Sequence, residues 1–186
     1  MESSNFIRQY LKNPRTVGAL APSSEKLAYK MVESINFLNA SCIVEYGPGT
    51  GVFTEKILNK KKDSTMFIVI EYNRDFYEIL NDKFGDEKNL ILINGSAENL
   101  KEYLNKYNID KVDYIVSGLP FASLHADMSR KILTVTREIL KDEGEFITFQ
   151  YTLFKIRLFK SYFSKIKRKK VFLNLPPAHV FKCENK

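Results

Sequence analysis

The sequence predicts an α/β fold built on a seven-stranded, mostly parallel sheet, with a C-terminal antiparallel hairpin and an N-terminal amphipathic helix. Three observations predict it. Short apolar runs alternate with helical patterns along the chain, which is the signature of βα units laid side by side in a doubly wound sheet. A glycine-rich turn, Gly47-Pro48-Gly49-Thr50-Gly51, joins the first of these runs to the helix after it. The last two apolar runs have only a proline turn at Pro176-Pro177 between them, so they can pair only as an antiparallel hairpin, since a parallel pair needs a long crossover.

The elements follow in order. Residues 5–12 read as a short amphipathic helix, in which Phe6 with Tyr10 and Ile7 with Leu11 stand four apart. Arg8, Lys12 and Arg15 flank that apolar stripe, and Pro14 stops the helix. A second helix opens at Ser23-Ser24-Glu25, with Ser23 placed to cap it, and runs to about residue 34. Strands at 42–46, 66–71, 89–93 and 112–117 are each followed by a helix, at 52–59, 74–84, 98–107 and 128–140. A fifth strand is expected at 145–151 and a basic, aromatic helix at 154–165. Closing strands are expected at 169–173 and 179–183. Five parallel strands and a terminal hairpin would resemble the sheet of the Rossmann-like class I methyltransferases.

A chain of 186 residues is expected to form one domain, with residues 1–36 as a helical, membrane-facing lid and residues 37–186 as the core. Hydrophobic content of 44% with 27% charged residues is ordinary for a globular protein. No apolar run approaches the roughly 20 residues that cross a bilayer. The start, Met1-Glu2-Ser3-Ser4-Asn5, lacks the basic and apolar regions of a secretory signal, so a cytoplasmic protein is expected. Cys42 and Cys183 are not spaced as a metal pair and read as buried free thiols, and no metal is expected. The net charge is +7, and from Phe146 to Cys183 there is no Asp or Glu. A stretch so one-sided suits an anionic partner, either membrane headgroups or nucleic acid, or else is a solvated basic face.

The chemistry is carried by loops at the carboxyl ends of the predicted strands, where ligands bind in such sheets. The alternate glycines of Glu45-Tyr46-Gly47-Pro48-Gly49-Thr50-Gly51-Val52-Phe53-Thr54 let a ligand lie against the main chain. Glu45 would repel a pyrophosphate placed on the following helix, and the spacing departs from the dinucleotide Gly-x-Gly-x-x-Gly. A carboxylate there favours S-adenosylmethionine, which carries an ammonium and a sulfonium. Glu71 ends the second strand about 20 residues past the glycines, the placement of an acid that accepts from ribose hydroxyls. Ser117-Gly118-Leu119-Pro120-Phe121 follows the fourth strand, beside the expected sulfonium, with the ring of Phe121 available to a cation. His125, close behind, is a candidate proton acceptor for an amine substrate.

Over nearly its whole length the chain resembles the bacterial phospholipid N-methyltransferases. The resemblance rests on Asn13-Pro14-Arg15-Thr16-Val17-Gly18-Ala19, the Glu45–Thr54 motif, Ile70-Glu71-Tyr72-Asn73, Ser117-Gly118-Leu119-Pro120 and Asn174-Leu175-Pro176-Pro177-Ala178. It implies methyl transfer from S-adenosylmethionine, leaving S-adenosylhomocysteine, to the amine of a phosphatidylethanolamine-type lipid. It also implies a leading helix that lies on the membrane. Cofactor contacts are implied at Glu45, Tyr46, Gly47, Gly49, Thr50, Gly51, Thr54, Glu71, Tyr72, Ser96, Ala97 and Ser117, and catalytic positions at Ser117 to Phe121 with His125. Many relatives have Gly-Asp-Ala where this chain has Gly95-Ser96-Ala97, so Ser96 would stand in for an acid at the adenine. The expected enzyme is a monomer peripheral to the inner face of the cell membrane, with a phospholipid substrate and an anionic surface as partners. The ribosomal RNA adenine dimethyltransferases are similar but more distant, with Asn-Leu-Pro-aromatic in the fourth loop. They usually carry an added RNA-binding domain, for which no room is expected here after the hairpin. RNA adenine methylation is the alternative, and a non-catalytic module of the same fold is a third reading.

Overall fold

The computed structural model describes residues 25–171 and 177–185. The predicted leading helix, the Ser23 cap and the Asn174–Pro176 stretch lie outside them. Within them the chain forms one seven-stranded sheet. Its strands are β1 (Cys42–Tyr46), β2 (Met66–Glu71), β3 (Leu90–Asn94), β4 (Val112–Ser117), β5 (Leu140–Gln150), β6 (Lys165–Val171) and β7 (Ala178–Glu184). The order is β3-β2-β1-β4-β5-β7-β6. The first five are parallel, and β7 runs antiparallel between β5 and β6. All five parallel strands therefore end on one edge, with the switch point between β1 and β4.

Helices cover both faces because the central strands are buried on both. Cys42-Ile43-Val44-Glu45-Tyr46 is buried at every position, which a continuous apolar strand requires and alternation would forbid. On one face lie α1 (Glu25–Val32) and α2 (Val52–Leu58). Leu27, Ala28, Met31 and Val32 of α1 and Phe53 and Ile57 of α2 pack there on Ile43, Phe67, Val69, Val116, Ile147 and Val180. On the other lie α4 (Leu100–Asn105), α5 (Ala126–Ile139) and α6 (Ile156–Lys160), over Val44, Tyr46, Ile68, Ile115, Phe146 and Phe181. The helix α3 (Arg74–Phe84) begins at Asn73, whose side chain accepts from the backbone amides of Asp75 and Phe76 and so satisfies two orphan donors of its first turn.

Four expectations are corrected. The basic helix at 154–165 is only the short α6, because Phe163 turns inward to stack on Phe146 with centroids 5.6 Å apart, and the chain then extends from Lys165 as β6. The last parallel strand starts at Leu140 instead of 145, with its pairing to β4 shifted between Val112 and Tyr114. The helix at 98–107 is a 3-10 turn, Ala97–Asn99, followed by α4. The described part of the proposed lid, from residue 25 to 36, is a core layer, since Leu27, Ala28, Met31, Val32 and Ile35 are all buried. Cys42 and Cys183 are free, buried thiols as expected, and burial pushes the Cys42 pKa up to about 12.

Candidate active site

Each parallel strand delivers a loop to the same edge, and backbone bonds lace the loops together. Gly47 N donates to Ile70 O at 2.9 Å, Gly118 N to Tyr46 O at 2.8 Å and Gly95 N to Glu71 O at 3.0 Å. Gly47, Gly49 and Gly51 all have positive φ, at 59°, 58° and 84°, which explains why glycine stands at each. Their environments differ. A Cβ at Gly47 would strike the side chain of Leu119, and one at Gly51 would strike Leu80 and Phe84. A Cβ at Gly49 would meet nothing within 4 Å. Gly49 therefore faces the open cradle, while its two neighbours are required by packing.

Two carboxyl groups border this cradle in different environments. Glu45 is fully buried; its Oε2 accepts from the Thr54 hydroxyl at 2.8 Å, and its Oε1 has no partner. Burial raises its pKa to about 8, with the nearby Glu71 charge adding to the rise and the Thr54 bond opposing it. Glu71 is also buried, which raises its pKa, but backbone amides oppose that effect. Its Oε2 accepts from Gly49 N at 3.1 Å and its Oε1 from Asn73 N at 2.8 Å. Glu71 thus fastens the glycine turn to the end of β2, and each oxygen keeps further lone-pair capacity.

The loop after β4 is held as firmly. Ser117 is buried, and its Oγ accepts from Leu119 N at 3.2 Å. Gly118 sits so close to Gly47 that a Cβ would collide with the Gly47 carbonyl. Pro120 O accepts from the amides of Ser123 and Leu124. Gln150, at the end of β5, clamps this loop from below: its Nε2 donates to Leu119 O at 3.1 Å and its Oε1 accepts from Ala122 N at 3.3 Å.

Several predicted site residues are placed differently from their expected roles. The ring of Phe121 is fully buried, edge-on to Phe159 at 5.3 Å and to Phe146 at 6.1 Å, so it anchors the loop in the core and presents no open face to a cation. The Tyr46 side chain lies under α5 with its hydroxyl 3.2 Å from Thr136 Oγ1, leaving only its backbone at the site. The Thr54 hydroxyl is spent on Glu45. Ser96 caps the 3-10 turn, and its hydroxyl donates to Glu98 Oε2 at 3.1 Å, which brings a carboxylate beside it. Ala97 is buried beneath that turn, Thr50 is half-exposed in the glycine turn, and Tyr72 is exposed at the lip. His125 stands exposed at the start of α5, where its side chain makes no hydrogen bond among the described residues. Gln150 and Glu98 escaped the sequence reading. The signal for Gln150 was a polar side chain closing the mostly apolar run Phe146-Ile147-Thr148-Phe149 at the carboxyl end of its strand.

The residues fit S-adenosylmethionine. The Gly49 cradle is open, Glu45 Oε1 is a buried acceptor still lacking a donor or cation, and Glu71 stands at the lip with spare lone pairs. No group of residues that could hold a metal ion occurs among the described residues.

Residues 22–155 match the ribosomal RNA adenine dimethylase family. The ornithine lipid N-methyltransferase of Singulisphaera acidiphila is 30% identical over 180 residues, spanning 96% of this chain and 93% of that protein. The ribosomal RNA small subunit methyltransferase A of Borreliella burgdorferi is 41% identical over 99 residues, spanning 53% of this chain and only 32% of that longer protein. Among solved structures, the precorrin-6y C5,15-methyltransferase of Geobacter metallireducens shares the fold, with a TM-score of 0.69 and 13% identity over 87% of this chain and 89% of that one.

Proposed function

Because the chain belongs to the ribosomal RNA adenine dimethylase family and is an S-adenosylmethionine-dependent methyltransferase, we propose that it methylates the amine of a phosphatidylethanolamine-type phospholipid at a membrane surface. The end-to-end similarity to a lipid N-methyltransferase carries this reading: it spans 93% of that protein, whereas the ribosomal RNA small subunit methyltransferases are matched over only 32–52% of their own length. The whole chain then acts as one catalytic domain, in the cytoplasm and peripheral to the inner leaflet. No helix among the described residues is long and apolar enough to cross a membrane.

The bound cofactor supplies a methyl group on a sulfonium, ready for in-line displacement. What this chain must do is hold the cofactor, seat the amine and exclude water. Glu71 receives the ribose hydroxyls, Glu45 gives up its proton to compensate the positive charge of the cofactor, and Gly49 leaves room at the turn. The Ser117–Phe121 loop, pinned by Gln150, forms a stiff wall for the amine. His125 takes the amine proton from the solvent side or passes it to water. RNA adenine methylation is the second reading, favoured by the family match over residues 22–155. Incubation with labelled S-adenosylmethionine separates them, using vesicles containing phosphatidylethanolamine or ornithine lipid in parallel with unmethylated ribosomal RNA. Label in the phosphatidylethanolamine supports the proposal, label only in the ornithine lipid changes the headgroup, and label only in RNA overturns it.

A further inference from the structure

We propose that the turn between β5 and α6 is where this protein enters the lipid, with Phe154 inserted and the basic side chains beside it resting on anionic headgroups. This rests on the lipid reading above and names the surface that serves it. Phe154 is 90% exposed and Leu153 beside it 40% exposed. The turn leaves β5 directly after Gln150, on the edge where the glycine turn and the Ser117–Phe121 loop converge. A large apolar side chain held in water on the rim of the active site is unsatisfied as it stands. Leu38 is also exposed, at 73%, but it lies before β1 on the opposite edge, so exposure alone does not single out the turn.

The distribution of charge selects the partner. The basic residues of β6 divide by face, as alternate residues of a strand must. Lys165 and Lys167 pair with Glu184 at 2.8 and 2.7 Å, and Lys169 pairs with Glu33 at 2.7 Å. Two carboxylates thus engage these lysines on the α1 side and offset part of their charge, since Glu33 is shared with Lys30 and Lys182 as well. Arg168 points the other way, opposite Phe181, and Phe181 packs against Phe159 of α6 at 5.8 Å. Lys155, Arg157 and Lys160 lie on and beside α6, and none of these three or Arg168 makes an ion pair among the described residues. The basic side chains without an ion-pair partner therefore gather on the α6 face, next to the exposed ring. An apolar tip flanked by Lys and Arg matches a bilayer interface, where tails take the ring and anionic headgroups take the charges.

The chain contains no tryptophan, so Phe154→Trp introduces a sole reporter. With vesicles of phosphatidylethanolamine and phosphatidylglycerol its emission should shift to the blue and be quenched by lipids brominated on their tails. The response should vanish with added salt or with phosphatidylcholine alone. Leu38→Trp should show no change. The triple variant Phe154→Ser, Lys155→Gln, Arg157→Gln should sediment with the anionic vesicles roughly tenfold less while binding S-adenosylmethionine as the parent does. Unchanged emission from the Phe154→Trp variant while it sediments with vesicles overturns the proposal, as does a failure to sediment at all. Emission altered by RNA and not by vesicles also overturns it, in favour of base stacking on the ring. Insertion without lipid methylation leaves this surface in place and removes the substrate reading, whereas lipid methylation without insertion does the reverse.

Discussion

Replacing Glu45 by Gln should stabilise the folded protein increasingly as the pH rises. Glu45 is fully buried, bonded only to Thr54, and has a pKa of about 8 against 4.5 for an ordinary glutamate. Between those values the unfolded chain loses the proton and the folded chain keeps it, so stability falls as pH increases. The contribution is fully present below 4.5 and lost as the pH passes about 8. At about 1.4 kcal/mol per pH unit, moving from pH 5 to pH 8 lowers the parent's stability by about 4 kcal/mol through this residue. Gln is neutral throughout; its oxygen accepts from Thr54 and its NH2 replaces the unpartnered Oε1. Urea unfolding of both proteins at pH 5 and pH 8, without cofactor, should show the gap widening in the variant's favour by about that amount. Curves that stay parallel within about 1 kcal/mol would show that Glu45 ionises freely in the fold, and the burial argument would fail. The variant should also bind S-adenosylmethionine more weakly, because Gln cannot give up a proton to become the carboxylate that compensates a cationic ligand.

Gly49→Val should abolish cofactor binding by filling the open cradle and should cost about 1–2 kcal/mol of stability at a φ of 58°; calorimetric titration with S-adenosylhomocysteine reads the first effect and thermal unfolding the second, and retained binding would misplace the turn. Glu71→Ala removes acceptors for the ribose and for Gly49 N, so cofactor affinity should fall by about 2 kcal/mol or more, and unchanged affinity would remove the ribose assignment. Gln150→Leu leaves Leu119 O and Ala122 N without the clamp, so kcat should drop while cofactor affinity is retained; loss of both together would show the clamp to be a general support of the fold.

Much of the fold was legible because the central strands are continuous apolar runs bounded by glycine or acid. Cys42–Tyr46, Met66–Glu71 and Val112–Ser117 lie where the pattern places them, and the two closing strands pair antiparallel as expected, although the first begins at Lys165 instead of 169. The glycine turn was legible because three alternate glycines mark a backbone with positive φ, which most residues adopt only at a cost. Its division into one open and two packed positions was not, since Leu80, Phe84 and Leu119 arrive from distant segments. The same holds for Phe121. Its sequence neighbours suggest a loop ring, and only the convergence of Phe146 and Phe159 shows that the ring is core.

The region after residue 154 misled for a physical reason that bears on function. Ile156, Phe159 and Phe163 stand three and four apart, which is helical spacing, while Lys165-Ile166-Lys167-Arg168-Lys169-Lys170 has almost no apolar alternation to announce a strand. An edge strand needs none, because it packs weakly and lysine on it blocks pairing with a further chain. Counting charges along the sequence treats the whole run as one basic surface. Folding separates it: Glu184 and Glu33 draw Lys165, Lys167 and Lys169 into ion pairs, while Arg168 and the α6 charges are left facing out on the side of Phe154. Exposed pairs of that kind contribute little to stability, about 0–1 kcal/mol each. Their larger consequence is to concentrate the unpaired positive charge next to the active-site edge, so a charge count from sequence overstates the basic surface and misses its direction.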